Sequence, residues 1–426
     1  MSITPHGRSG QYPTLTVEIG FSTVSSGSST WATGTWSSAK WSGRDVVWTD
    51  VSDYVRALST SRERNRDTDT FPVGTATVVL SNKDARFTPA NTSGPYTSSG
   101  VTKVVPKVPI RIRATWNSVT YGVFYGRINS WRDDYPAQGK DCVTTITCTD
   151  VLADLAVIDL AALVAPVGAG ELAGARISRI LNSSGWAFGT DINTGAIVTC
   201  QATSLGDNAL DMVQKAAESD GGVVFADQDG DLTFQDGYYP TGARSSRAST
   251  AQITFGSGAG QVKFLDPVLT YDDTLIYNDA TATRTGGTAQ ESTDADSISL
   301  YGRRSLSRTD LVSETDAQAK VLADLDILRF ADPEYRVASL VVMPASSPST
   351  YWPLVLDSRF GDYCVASVAT PSGITITRDV FVSGISHNMT LEGGWSVQFG
   401  FTSATPYKGT WGGWDSGLWD TVTFFA

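Results

Sequence analysis

Apolar and polar residues alternate in short runs over much of the chain. In "VPIRIRATW", residues 108 to 116, Ile110, Ile112 and Ala114 stand against Arg111 and Arg113, a period of two that predicts a half-buried strand. "TLTVEIGF" (14 to 21), "GTATVVLS" (74 to 81), "TYGVFYGRINSW" (120 to 131) and "DCVTTITCTD" (141 to 150) read the same way, with Pro136 and Gly139 breaking the last two apart. Helical patterning follows at about 150 to 165, 171 to 181 and 207 to 219; in the last, Leu210, Val213 and Ala217 share a face. Composition marks 241 to 261 as a linker or exposed loop. Strands resume over 262 to 287. One long helix is expected at 314 to 331, capped by Ser313 with Asp316, striped by Val321, Leu325 and Leu328, and stopped by Pro333. Strands then fill 336 to 403. The pattern predicts an α+β, β-rich chain in which strands outnumber helices.

One pattern recurs. "VFYGRI" (123 to 128) followed by "CVTTITCT" (142 to 149) matches "VFVSGI" (380 to 385) followed by "WSVQFGFT" (395 to 402): an apolar strand with a glycine near its end, a polar turn, then an alternating strand. If it is a true repeat, the chain holds two copies of one β domain with helical material between them.

The stretch "GGVVFADQDGDLTFQDG" (221 to 237) tests for a calcium loop. With Asp227 as position one, Asp229 and Asp231 fit positions three and five, but Leu232 stands where glycine is needed and Tyr238 where the bidentate glutamate belongs. A two-residue Asp229-Gly230 turn, setting Phe225 opposite Phe234, is the better expectation.

Tryptophan is concentrated in two places: "STWATGTWSSAKWSGRDVVW", with Trp31, Trp36 and Trp41, and "GTWGGWDSGLWDTV", with Trp411, Trp414 and Trp419. Each indole carries roughly 150–250 Å², so three exposed together exceed the apolar patch a monomer normally shows. Cover by the fold or by a neighbouring subunit is expected, and stacking on sugar rings is the alternative.

Charge narrows the function. With 44 acidic against 32 basic residues and a net charge of -12, phosphate-neutralising recognition of nucleic acid is disfavoured. The basic spots at Arg62, Arg64 and Arg66, at Lys103 to Arg113, and at Arg303, Arg304 and Arg308 are interrupted by acids or apolar residues and read as solvated faces or subunit salt links. The start of the chain lacks a secretory pattern. The apolar run from Val151 to Ala169 contains Asp154 and Asp159, each costing roughly 2.5–3.5 kcal/mol at a bilayer centre, so stable membrane insertion is not expected. Cys142, Cys148, Cys200 and Cys364 show no metal-ligand spacing and read as buried thiols. His6 and His387 are the only histidines, and HExxH and phosphate-loop patterns are missing. No catalytic, cofactor or metal residues are assigned, and the chain is expected not to be an enzyme.

Taken as a series, "WTDVSDYVRALSTSRERNRDTDTFPVGTATVVLSNKDARFTP" (48 to 89), "VPIRIRATW", "GRINSWRDDYPAQGKDCVTTITCTDVLADL" (126 to 155), "ALDMVQKAAESDGGVVFADQDGDLTFQD" (209 to 236), "DADSISLYGRRSLSRTDL" (294 to 311) and "ITRDVFVSGISHNMTLEGGWSVQFGF" (376 to 401) resemble minor tail proteins of long-tailed phages infecting actinobacteria, most of all the tail-hub type related to myophage baseplate hubs. The resemblance spans roughly residues 46 to 403. The tryptophan-rich insertion is longer than the shared core, and no fused fibre or lysozyme domain is expected after the second β domain. The resemblance implies a tube-type β domain over 1–150 with the Trp-rich loop at 22–47, a middle helix and hairpin domain over 151–250, a second tube-type β domain over 251–408, and a Trp-rich tail over 409–426. It further implies a homotrimeric hub in the virion tail tip, assembled in the host cytoplasm. Its partners would be the distal tail protein or tail tube, the tape measure protein and tip or fibre proteins, with phage DNA passing through an acidic channel. A glycan-binding minor tail protein and the hexameric distal-tail ring are the rival readings.

Overall fold

A computed structural model describes residues 10–25, 44–64, 66–391 and 394–408. His6 and the tryptophans at 31, 36, 41, 411, 414 and 419 lie outside the described residues.

The alternating runs assemble into one 13-stranded sheet. Two sets of strands within it repeat the same spatial order. The first is Val55–Glu63, Thr75–Ser81, Val143–Thr149, Val119–Asp134, Pro109–Trp116 and Thr14–Ser25; the second is Leu265–Thr270, Arg336–Val342, Gly394–Ser403, Thr375–Thr390, Tyr363–Ala369 and Ile253–Phe255. In each set the fourth strand is 16 residues long and carries a bulge against the third, between Ile128 and Ser130 in one and between Val382 and Gly384 in the other. The echo read from the sequence lies on these third and fourth strands. The sets differ at their last member: Thr14–Ser25 pairs antiparallel, whereas Ile253–Phe255 pairs parallel. Arg44–Asp50 extends the first set beyond Thr14–Ser25.

The two sets are continuous. Residues 384 to 390 of Thr375–Thr390 pair antiparallel with residues 57 to 63 of Val55–Glu63. The period-two pattern sends Ile110, Ile112 and Ala114 inward, each fully buried, and leaves Arg111 and Arg113 half-buried on the other face. With Leu15, Val17, Ile19, Val78, Leu80 and Ile146 they belong to an apolar cluster that runs on into Leu340, Val397 and Phe399 of the second set. Full burial of such a side chain contributes roughly 1.5–3 kcal/mol.

Between the sets, helices Ala173–Ser184 and Ala209–Ser219 pack on the hairpin of Val223–Ala226 and Leu232–Gln235 through Ile177, Ile180, Val213, Val224 and Phe234. Asn208 caps the second helix, its side chain accepting from Leu210 N and Asp211 N. A smaller cluster places helix Asp316–Phe330 on the strands Asp279–Arg284, Gln290–Thr293 and Ser305–Leu311.

Several expectations are corrected. The helix expected at 150 to 165 is a single turn, Leu152–Leu155. Beyond it the apolar residues follow no stripe, Val157 and Val164 are exposed, and Pro166, Gly168 and Gly170 break the chain. Residues 241 to 261 are more than a linker: helix Ser246–Ser249 buries Ala248, and Ile253–Phe255 enters the sheet with Phe255 fully buried. The long helix is capped two residues later than expected, by a Thr315–Gln318 box, and its buried face is Ala319, Leu322, Ala323, Asp326 and Phe330. Leu328 is exposed because the face turns to bring Asp326 onto Arg308, 2.6 Å away. Pattern reading also missed helix Pro348–Leu356, whose Trp352 is fully buried and donates Nε1–H to the carbonyl of Gln11 at 2.8 Å. Among the described residues no helix is long and apolar enough to cross a membrane.

Candidate assembly interface

The sheet junction is the place where the two strand sets meet, and side chains from both close it. Leu58 faces Met389 across the pair and both are buried, as is Ile385. Beside them lie Arg62, His387 and Asp150, all buried. His387 Nδ1 accepts from Trp395 Nε1 at 3.2 Å; burial, reinforced by the Arg62 charge, pushes the imidazole down to about 3 and keeps it neutral. Asp150 is pushed up to about 7 by burial, against the pull of N–H bonds from Gly74 at 2.6 Å and Leu152 at 3.0 Å. Arg62 donates weakly to the Ala226 carbonyl at 3.4 Å and sits 5.2 Å from the Phe360 ring centroid. Burial disfavours its charged form, and its Nε has no partner. The expectation of solvated faces therefore fails at Arg62 and Arg64, whose guanidinium groups are enclosed where the strand sets join. Arg308 is likewise enclosed, held by Asp326 and by Glu218 at 3.1 Å. Arg111 and Arg113 both grip Glu18 across neighbouring strands, at 2.7 and 2.5 Å.

A cavity of about 120 Å³ opens next to the junction, lined by Arg64, Asp67, Arg329, Glu334, Arg336 and Tyr407 among others. Its charges are neighbours, Arg64 with Asp67 at 3.9 Å and Arg336 with Glu334 at 3.8 Å.

The aspartate-rich stretch forms the expected hairpin with a different turn. Phe225 pairs with Thr233 and Val224 with Phe234, one step from the expected register. The loop is longer than two residues: Asp227 N donates to Asp231 O at 2.9 Å, and Gly230 takes φ +91° at the loop's end. Asp227 Oδ1 accepts the N–H groups of Asp229 and Asp231, both at 2.9 Å, which makes it a turn former. Among the described residues no group of three or more His, Cys, Asp or Glu side chains is arranged to hold a metal ion. The four cysteines are buried free thiols, and burial raises Cys200 to about 11.

The sheet also ends in open edges. Leu265–Thr270 pairs with Arg336–Val342 on one side and, among the described residues, with no strand on the other. Leu265 and Val268 on it are 53% and 47% exposed. A second open edge lies on Val119–Asp134: its N-terminal part is flanked by Pro109–Trp116, whereas residues 130 to 134 pair only with Val143–Thr149 among the described residues.

Two solved structures share this architecture. The tail protein from Neisseria meningitidis MC58 superposes with a TM-score of 0.55 at 10% identity, covering 92% of this chain and 96% of that one. The 43 kDa tail protein of prophage MuSo2 from Shewanella oneidensis gives 0.52 at 10% identity, covering 93% and 98%. At this identity the likeness is one of fold. No protein-family model and no curated protein sequence matches the chain.

Proposed function

We propose that this chain is a structural component of a phage tail tip: a homotrimeric hub that joins the tail tube to the tip proteins and lines the DNA exit channel. The observation that carries the reading is the repeated strand order, two six-strand sets joined edge to edge in one chain, in a fold shared with two tail proteins, one of them from a prophage. A chain with two similar units turns a threefold assembly into six similar units, the number needed to meet a sixfold tube above and a threefold tip below. Each set would serve as a tube-type β domain, with the middle helices and hairpin bracing the join. The net charge of -12 suits a wall past which DNA slides without adhering. The distal tail or tube protein, the tape measure protein and tip or fibre proteins are the partners this role requires. Sedimentation of the purified chain and cryo-microscopy of assembled tails test the reading together. Three copies at the tip support it; a monomer outside the virion with no copy at the tip defeats it, and six copies would favour the ring above.

A further inference from the structure

A buried guanidinium is costly unless its N–H groups are bonded and its charge is balanced. Among the described residues six arginines carry a buried guanidinium nitrogen with no hydrogen-bond partner: Arg62, Arg64, Arg113, Arg179, Arg329 and Arg336. Arg113 and Arg179 still grip carboxylates, at 2.5 Å to Glu18 and 2.8 Å to Glu171, and Arg62 lies over the Phe360 ring. The other three line one cavity, the space of about 120 Å³ beside the junction. Arg64 stands 3.9 Å from Asp67 and Arg336 stands 3.8 Å from Glu334, both beyond hydrogen-bond reach. Arg329 lies 5.1 Å from the Tyr407 ring centroid and forms no ion pair among the described residues. The three come from separate elements: Arg64 follows strand Val55–Glu63, Arg329 is in the last turn of helix Asp316–Phe330, and Arg336 opens strand Arg336–Val342.

The acids around the cavity do not satisfy them. Asp236 is held by Arg244 at 2.7 Å, and Glu334 Oε1 accepts the hydroxyls of Ser403 and Thr405 at 2.7 and 2.6 Å. Three guanidinium charges therefore face two carboxylates, Asp67 and Glu334, which leaves one positive charge in excess. Burial pushes the Asp67 carboxyl up, and its protonation widens that excess.

We propose that this cavity binds a small tetrahedral oxyanion, inorganic phosphate or sulfate, held jointly by Arg64, Arg329 and Arg336. Guanidinium groups pair with such oxygens in a forked, charge-assisted geometry, so the ion supplies the acceptors that all three lack. An apolar cavity of about 150 Å³ takes a benzene, and the space here admits an ion of lesser bulk. Once bound, the ion ties the first strand set to the second and to the helix between them, as a structural anion beside the junction. The site goes beyond the hub reading and does not depend on it.

The test uses the full chain, dialysed free of phosphate into chloride buffer. Isothermal titration calorimetry with sodium phosphate, against sodium chloride of equal ionic strength, gives a saturable isotherm of one ion per chain, and sulfate competes for the same site. The unfolding temperature rises with the logarithm of phosphate concentration. Arg329→Gln removes a guanidinium without an ion pair in the free chain, so the unfolding temperature in chloride does not fall, while phosphate affinity drops by about tenfold or more. Arg132→Gln makes the same charge change at a side chain 75% exposed and leaves binding unaltered. Phosphate and sulfate also stabilise proteins generally, through exclusion from their surface. A temperature rise that persists undiminished in Arg329→Gln is that general effect and overturns the site. A flat isotherm for the parent chain, which needs no variant, overturns it as well.

Discussion

Leu58 and Met389 come from opposite ends of the sequence and face each other at the junction, 1% and 2% exposed. Truncating either to alanine removes buried apolar volume and costs about 2–5 kcal/mol. Because the pair faces across two hydrogen-bonded strands, the double variant should lose less than the sum of the singles, with a coupling of about 0.5–3 kcal/mol. The assay is urea unfolding of the four chains, followed by far-ultraviolet circular dichroism and by tryptophan fluorescence on the same samples. One coincident transition for the parent, midpoints that fall in both singles, and a non-additive double establish that the strand sets unfold as one body. Additivity within about 0.3–0.5 kcal/mol, or fluorescence and dichroism transitions that separate in the parent chain, would mean that the junction is not a packed core.

Other expectations can be checked on the same material. His387 is held near 3 against an ordinary value of 6.5, so below pH 6.5 the unfolded chain binds a proton that the folded chain does not, and stability falls as pH drops. Asp150, held near 7 against 3.8, acts in the opposite sense: stability falls as pH rises from about 4 to 7. Urea midpoints at pH 4.5 and 6.5 should therefore diverge with opposite sign in His387→Asn and Asp150→Asn relative to the parent. Asp326→Ala leaves Arg308 enclosed with Glu218 alone and should cost about 3–5 kcal/mol, partly recovered by adding Arg308→Leu; thermal or urea unfolding reads both. Calorimetric titration with calcium should show no micromolar binding, because Asp227 already spends an oxygen on the loop's own N–H groups.

Much of the sheet was legible in the sequence because period-two alternation maps directly onto faces, as at Ile110, Ile112 and Ala114. The hairpin echo was legible for the same reason, although its place in a repeated six-strand order required the pairing of distant strands. Local signals misled where tertiary contacts decide. The face of helix Asp316–Phe330 is set by Asp326 meeting Arg308, and a polar residue at a buried position is invisible to an apolar stripe. The Asp229-Gly230 turn suggested the shortest hairpin, but the Asp227 side chain stabilises a wider loop and shifts the register by one residue, which exchanges the faces of the strand. Helix Pro348–Leu356 hid behind prolines that reading by propensity treats as breakers, and its Trp352 is anchored by Gln11 at the far end of the chain. The junction had no sequence signature: Arg62 reads as part of a solvated face or a subunit salt link until Val55–Glu63 and Thr375–Thr390 are paired.

Cryo-microscopy of the tail tip in assembled virions counts the copies of this chain and so decides whether it forms the hub. A hub gives three copies in a closed ring presenting six similar β units around the channel; a ring of six copies, or density for the chain only on peripheral fibres, is incompatible with that role.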